Sequence, residues 1–238
     1  MPRRTAPGRV TDIARAACDV FIEKGYRRAL MTDVAARLGL NHALLYRYVE
    51  SKEALLELAA RYAVDPESDL SREVPLATPP AGHTVGLLRG WFAAHARFPV
   101  LRSALGSDPG EDPAAELAAV IDEFYSFVQD SRLLLSLMES LVVDYPELNA
   151  LYVEDSKRRL TGRLAAFLGS RSASGSLRPV PDTEIAARFI VESVAWFAWR
   201  RQDDPGAVGI DDEQARRSVT ELLLAAFVPD DRRAGVTG

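Results

Sequence analysis

The 238-residue chain reads as an all-α protein, a small N-terminal three-helix helix-turn-helix unit followed by a larger helical body. Three observations predict this. Apolar residues recur at spacings of three and four, while the strict alternation of a half-buried strand is scarce. The helical stretches are separated by compact breaks rich in Gly and Pro. Hydrophobic residues make up 47% of the chain and charged residues 26%, enough apolar material to close a core without staples.

The first helix is predicted from near Arg9 to Lys24, with Val10, Ile13, Ala14, Ala17 and Phe21 on one face. Gly25 suits the position after its end, where a left-handed backbone is cheap only for glycine. A short second helix follows with Thr32 as its N-cap, and Val34, Ala35 and Leu38 pointing inward. Gly39 supplies a sharp bend, and Asn41 caps a third helix running from His42 to Tyr48. Leu45, Tyr48 and Val49 can pack onto the first helix, which turns Asn41, His42, Ala43, Leu44, Tyr46 and Arg47 to the open side. Ser51 caps a fourth helix, beginning with Lys52, whose buried stripe is Leu55, Leu58, Ala59 and Tyr62. Pro66, Pro75, Pro79 and Pro80 then mark a linker over residues 64–81. This divides the chain into a helix-turn-helix domain, residues 1–63, and a helical domain, residues 64–238.

In the body, one helix carries Leu87, Leu88, Trp91 and Phe92, and a later one Leu117, Val120, Ile121, Phe124 and Val128. Gly82, Gly86 and Gly90 recur every four residues, which fits a close helix crossing, a segment that shifts on ligand binding, or a helix that begins later. Pro146 opens another helix, with Leu148, Leu151, Leu160, Leu164, Phe167 and Leu168 on one side. Breaks are predicted at Gly106–Pro113, Gly169–Asp182 and Asp203–Gly209. The helix Thr183–Arg200 is apolar almost all round in its second half and must be covered on more than one face. A final helix, Glu213–Val228, carries Val219, Leu222, Leu223, Ala226 and Phe227.

A short helix held against two others can enter the major groove end-on, where base edges present a distinguishable donor and acceptor pattern. The N-termini of the second and fourth helices offer free N–H groups to phosphates. The net charge of −5 argues at first against such a partner, but its distribution argues for it. Residues 1–62 hold 11 Lys or Arg against 7 Asp or Glu, a net +4, and the rest hold 18 against 27, a net −9. A basic head on an acidic body touches phosphate at one end only. The single cysteine, Cys18, excludes an internal disulfide and a multi-cysteine zinc site and suits the cytoplasm. No signal peptide or membrane span is expected, and the sequence contains no Gly-rich phosphate loop, nucleophile elbow or H-E-x-x-H pattern. No cofactor, metal or catalytic residue is therefore expected, and the acidic pairs Asp203-Asp204 and Asp211-Asp212 are explained by turns and caps.

The stretch TDVAARLGLNHALLYRYVESKEALL, Thr32–Leu56, resembles the DNA-binding signature of the TetR family of transcriptional regulators. The match comprises Thr32, Val34-Ala35, Ala36, Gly39-Leu40, Leu45-Tyr46-Arg47-Tyr48 and Ser51-Lys52 through Leu55. It departs at Val49, where the family usually has Phe, and at Asn41, where Ser or Thr is commoner. The resemblance implies phosphate contacts from Thr32, Tyr46, Arg47 and Lys52, and base-edge contacts from Asn41, His42, Ala43 and Leu44. Arg3 and Arg4 would form a basic arm reaching the adjacent backbone or minor groove. It also implies a homodimer closed by the last two long helices, with Phe189, Trp196, Trp199, Val219, Leu222, Leu223 and Phe227 as interface candidates and an inverted-repeat operator. It further implies a small, mainly apolar effector within the body, for which Trp91, Phe92, His95, Phe98, Phe124, Phe127 and Met138 are lining candidates. Repression relieved by that ligand is the mode implied. The rival readings are an activator and a helical ligand-binding or interaction protein whose helix-turn-helix is vestigial.

Overall fold

A computed structural model describes residues 7–230 of the chain. The described residues form twelve α-helices and no β-strand. None of these helices is long and apolar enough to cross a membrane. They are α1 (Pro7–Arg28), α2 (Met31–Arg37), α3 (His42–Leu45), α4 (Lys52–Val64), α5 (His83–His95), α6 (Pro99–Leu105), α7 (Pro113–Asp130), α8 (Arg132–Leu141), α9 (Pro146–Asn149), α10 (Arg158–Ala173), α11 (Thr183–Ala198) and α12 (Asp212–Phe227). The described residues fold into two compact units, one holding those up to Ala94 together with Ser131–Val153, the other His95–Asp130 and those from Glu154 onward.

In the first unit α1 is the central post, packing on α2, α4 and α8. Val10, Ile13, Ala14, Ala17 and Phe21 are all buried. The α1 helix breaks at Gly25, whose φ of 73° is the left-handed geometry expected there. The start of α2 differs from expectation. Thr32 is not its cap but its exposed second residue, and the cap position belongs to Leu30. The leucine side chain has no oxygen to cap with, and instead the Asp33 carboxylate reaches back and accepts the Leu30 N–H at 2.8 Å. Asn41 and Ser51 do cap as expected, accepting the amides of Ala43 at 2.9 Å and Ala54 at 3.1 Å. The α3 helix is shorter than its sequence pattern, with tight turns carrying Arg47, Tyr48 and Val49 beyond Leu45.

The segment after α4 is ordered. A 3-10 turn spans Leu70–Glu73, and Leu76, buried, forms a parallel bridge with Val49. Helix α5 begins at His83, directly after Gly82. A Cβ added at Gly86 or Gly90 would meet nothing within 4 Å, so the every-fourth glycine pattern marks no close crossing.

In the second unit α11 packs on α10, α7 and α12. Gly169 does not break the chain: α10 continues to Ala173, and a turn at Gly175, φ 73°, ends it. The Arg171 side chain explains why α10 continues. Fully buried, it forks onto both oxygens of Glu116 at 2.8 and 2.7 Å and reaches the Ala104 carbonyl at 2.6 Å, tying α10 to α7 and to the end of α6. A second buried guanidinium, Arg201, bonds Asp212, the Ile210 carbonyl and the Phe197 carbonyl, closing the turn between α11 and α12. Between Val153 and Glu154 the chain passes from the first unit to the second within a π-helical stretch, Ala150–Lys157.

Candidate nucleic-acid interface

The sequence of α2, the Gly39 bend and α3 builds a reader with a dry side and a wet side. Leu45 and Val49 have no exposed surface and Tyr48 is half-buried, which anchors the inner side against the rest of the unit. Gly39 has φ 62°, a backbone that a side chain would strain, so the turn between the two helices is short and fixed. The outer side presents Asn41, His42, Ala43, Tyr46 and Arg47, all exposed, and Leu44, half-exposed. The His42 ring stands edge-on to the Tyr46 ring at 5.2 Å, so the two lie together on that side. The Arg47 guanidinium makes no hydrogen bond or ion pair with the described residues, whereas that of Arg37 is spent on Asp19 and Glu23. A guanidinium left exposed beside an exposed phenol is a ready fork for a phosphodiester.

Lys52 occupies the first turn of α4, where the helix dipole disfavours a cation. Its ammonium lies 4.5 Å from the centre of the Tyr26 ring and donates to the Arg27 carbonyl at 3.3 Å. Burial lowers its pKa. Tyr26 also donates to Glu53 at 3.0 Å and packs on Tyr145 at 5.3 Å, and its pKa is raised, first by burial. Asp144, just beyond α8, accepts the Arg27 amide at 3.0 Å and pairs with its guanidinium at 3.1 Å. The turn between α1 and α2 is thus held from the segment that follows α8, and Lys52 is seated on that turn. Lys24 pairs with Asp33 at 2.8 Å and, together with the Leu30 amide, lowers the Asp33 pKa. Sequence reading missed Tyr26, Asp33 and Asp144; a Tyr shortly after the buried Phe21 was the only local sign of the first.

Arg3 and Arg4 lie outside the described residues. The effector candidates divide between the units: Trp91, Phe92 and Met138 in the first, His95, Phe98, Phe124 and Phe127 in the second. In the first, Phe92 and Met138 are buried and the Trp91 ring meets Phe92 edge-on at 5.2 Å. In the second, Phe98 packs on Phe127 at 5.2 Å and on Phe124 at 6.0 Å. Phe98 has φ 47°, uncommon for a bulky residue, and is followed by Pro99 at the start of α6, whose first amides are accepted by Glu123. Among the described residues no group of His, Cys, Asp and Glu could hold a metal ion.

On α11 and α12 the interface candidates sort into two sets. Trp199, Val219, Leu223 and Phe227 are buried within the protomer, and Trp196 is half-buried. Phe189 and Leu222 are 57% and 64% exposed, large apolar groups left on the surface. Ile185, one turn before Phe189 and not singled out from the sequence, is 70% exposed. Ile185 and Phe189 line a shallow groove of about 520 Å³ with Thr161, Glu184, Arg188 and Glu192.

A short exposed reader held by α1, α2 and α4, in a chain whose described residues are otherwise helical, is the arrangement of the helix-turn-helix transcriptional regulators. Residues 13–59 match the family model for bacterial regulatory proteins of the tetR family, and residues 115–227 match the C-terminal domain of AefR-like transcriptional repressors. The chain belongs to the TetR family of transcriptional regulators. No curated protein sequence matches it. Its fold is similar to that of the ketosteroid transcriptional regulator KstR2 of Mycobacterium tuberculosis, at 16% identity over 95% of this chain and 98% of that one, with a TM-score of 0.57. It is also similar to AibR in complex with isovaleryl coenzyme A and operator DNA, at 19% identity over 92% of this chain and all (100%) of that one, with a TM-score of 0.51.

Proposed function

We propose that the protein is a repressor that binds an inverted-repeat operator as a homodimer and is released by a small, mainly apolar ligand. One observation carries the DNA reading: the reader is anchored through Leu45 and Val49, while Tyr46 and the unpaired Arg47 stand exposed on its outer side. Thr32, Arg47 and Lys52 hold phosphates, with Tyr46 beside them, and Asn41 to Leu44 approach base edges. The exposed apolar residues of α11 and α12 support pairing with a second copy. That pairing sets two readers on two half-sites. A family fold-mate captured with both an acyl-coenzyme A and operator DNA supports the combination of ligand and DNA in one chain. Ligand and DNA are then linked: whichever factor the ligand takes from operator affinity, DNA takes from ligand affinity. The chain regulates rather than catalyses, and it works in the cytoplasm with the DNA.

The test is selection of bound fragments from random duplex DNA by the purified protein, beside a variant carrying Tyr46→Ala and Arg47→Ala. An inverted repeat enriched by the wild type and lost in the variant is the expected outcome. Arg47→Ala alone removes one phosphate contact from each protomer, and should weaken binding to all sequences and lower the salt slope of the dimer by about two. A folded protein that enriches nothing overturns the reading.

A further inference from the structure

We propose that the segment joining α4 to α5 is a positioning strap that sets the pose of the reader and of the two phosphate-facing cations flanking it. This rests on the DNA-binding role proposed above.

The α3 helix is only four residues long, too short to hold its own shape. Packing of Leu45 and Val49 fixes its inner side, but its exit has no continuing helix. What holds the exit is residue 76. The Leu76 amide donates to the Tyr48 carbonyl at 2.8 Å, and the Glu50 amide donates to the Leu76 carbonyl at 3.0 Å. Two residues on, the Thr78 amide donates to a Glu50 carboxylate oxygen at 3.2 Å, and the Thr78 hydroxyl donates to Ser51 Oγ at 2.8 Å. Ser51 Oγ is the atom that caps α4. Residues 48 to 51, gripped in this way, lie between Arg47 and Lys52. The strap therefore pins the backbone on which both cations ride.

The strap is itself tethered at each end to α4. Before it, Glu73 accepts from Arg61 at 2.7 Å. After it, the Thr84 hydroxyl donates to Glu57 at 2.7 Å, and His83 Nε2 lies 3.4 Å from the same carboxylate. Glu57 is 1% exposed and also accepts from Arg61 at 2.9 Å, so this anchor is a buried, charge-assisted one. His83 and Thr84 open α5, the helix that carries Trp91 and Phe92. Leu76 is buried, so it acts through the pose of its neighbours and is a positioning residue, not a DNA contact.

The test uses the full-length chain with Leu76→Pro, which removes the amide that bonds Tyr48, and separately Thr78→Val, which removes an exposed hydroxyl. Two quantities are read: amide exchange across residues 46–52, and affinity for the sequence selected by the wild type divided by affinity for random duplex. In Leu76→Pro exchange should rise about tenfold or more over this stretch with the rest of α1 and α4 unchanged. The affinity ratio should fall about tenfold while the salt slope stays within about one of wild type, because the number of phosphate contacts is kept. Thr78→Val should give a smaller change of the same kind, and carries the test if the proline variant does not fold. Unchanged exchange and an unchanged ratio overturn the proposal. If the wild type selects no sequence, the DNA reading fails, and the exchange measurement still decides whether the strap holds the reader.

Discussion

Cys18 shows how one buried side chain records the state of the whole head. It sits on the inner face of α1, fully buried, and its thiol donates to the Ala59 carbonyl of α4 at 3.3 Å. Burial pushes its pKa up from 9.0 to about 12. Only the thiolate is alkylated, so iodoacetamide at about pH 8 should leave the native protein unlabelled and label it rapidly once the head opens. Rapid labelling of the folded protein would contradict this packing. The sign of the pH effect follows from the same shift. The unfolded thiol ionises near 9.0 and the folded one near 12, so the stability that Cys18 contributes is complete below pH 9.0 and is lost as pH rises towards 12. At this scale local chemistry was legible: Asn41 and Ser51 cap as their residue types demand. The α2 start was not, because a carboxylate at Asp33 serving the amide of Leu30 is invisible to a search for a cap at the boundary itself.

At the scale of elements, α5 makes a sharper prediction. Gly86 and Gly90 lie inside this helix, with nothing within 4 Å of an added methyl group and no positive φ. Alanine at either position should therefore stabilise the protein by roughly 0.5–1 kcal/mol, mostly by restricting the unfolded chain. Urea unfolding of the two single variants checks this, and destabilisation would reveal something packed against that face. Helices with long apolar stripes, α1, α4 and α7, were legible from spacing alone. Two other elements were not. The break expected at Gly169 is overridden by Arg171, whose buried fork onto Glu116 holds α10 together from a residue distant in sequence. The segment 74–78 reads as a proline-rich linker because its bridge to Val49 is non-local, and pairing register across such a distance leaves no mark in composition. Val49 itself, a smaller residue where the related signature carries Phe, changes the volume of the small core and is also the bridge partner of Leu76.

For the molecule as a whole, the apolar residues of the last two helices divide into those already buried in one protomer and those still facing water. Replacing Phe189 and Leu222 together by Asp puts charge on exposed positions and spares the core formed by Val219, Leu223 and Phe227. The double variant should remain folded and sediment as a monomer at micromolar concentration, where the wild type sediments as a dimer. A variant that still sediments as a dimer would move the interface elsewhere. Sequence alone named both sets as one surface, since hydrophobicity reveals which residues avoid water but not whether their own chain or a second copy provides the cover.

The strap also bears on how such regulators can be recombined. Chimaeras that join the head of one protein to the sensor of another are most simply cut at the end of the fourth helix, near residue 63. In this chain that cut would part Tyr48 and Glu50 from Leu76, and Ser51 from Thr78. A graft meant to keep its operator preference should carry residues through Pro80 with the head. It should also retain an acceptor at position 144 for the Arg27 amide. The transplantable piece is thus a discontinuous one, drawn from two separate stretches of the sequence.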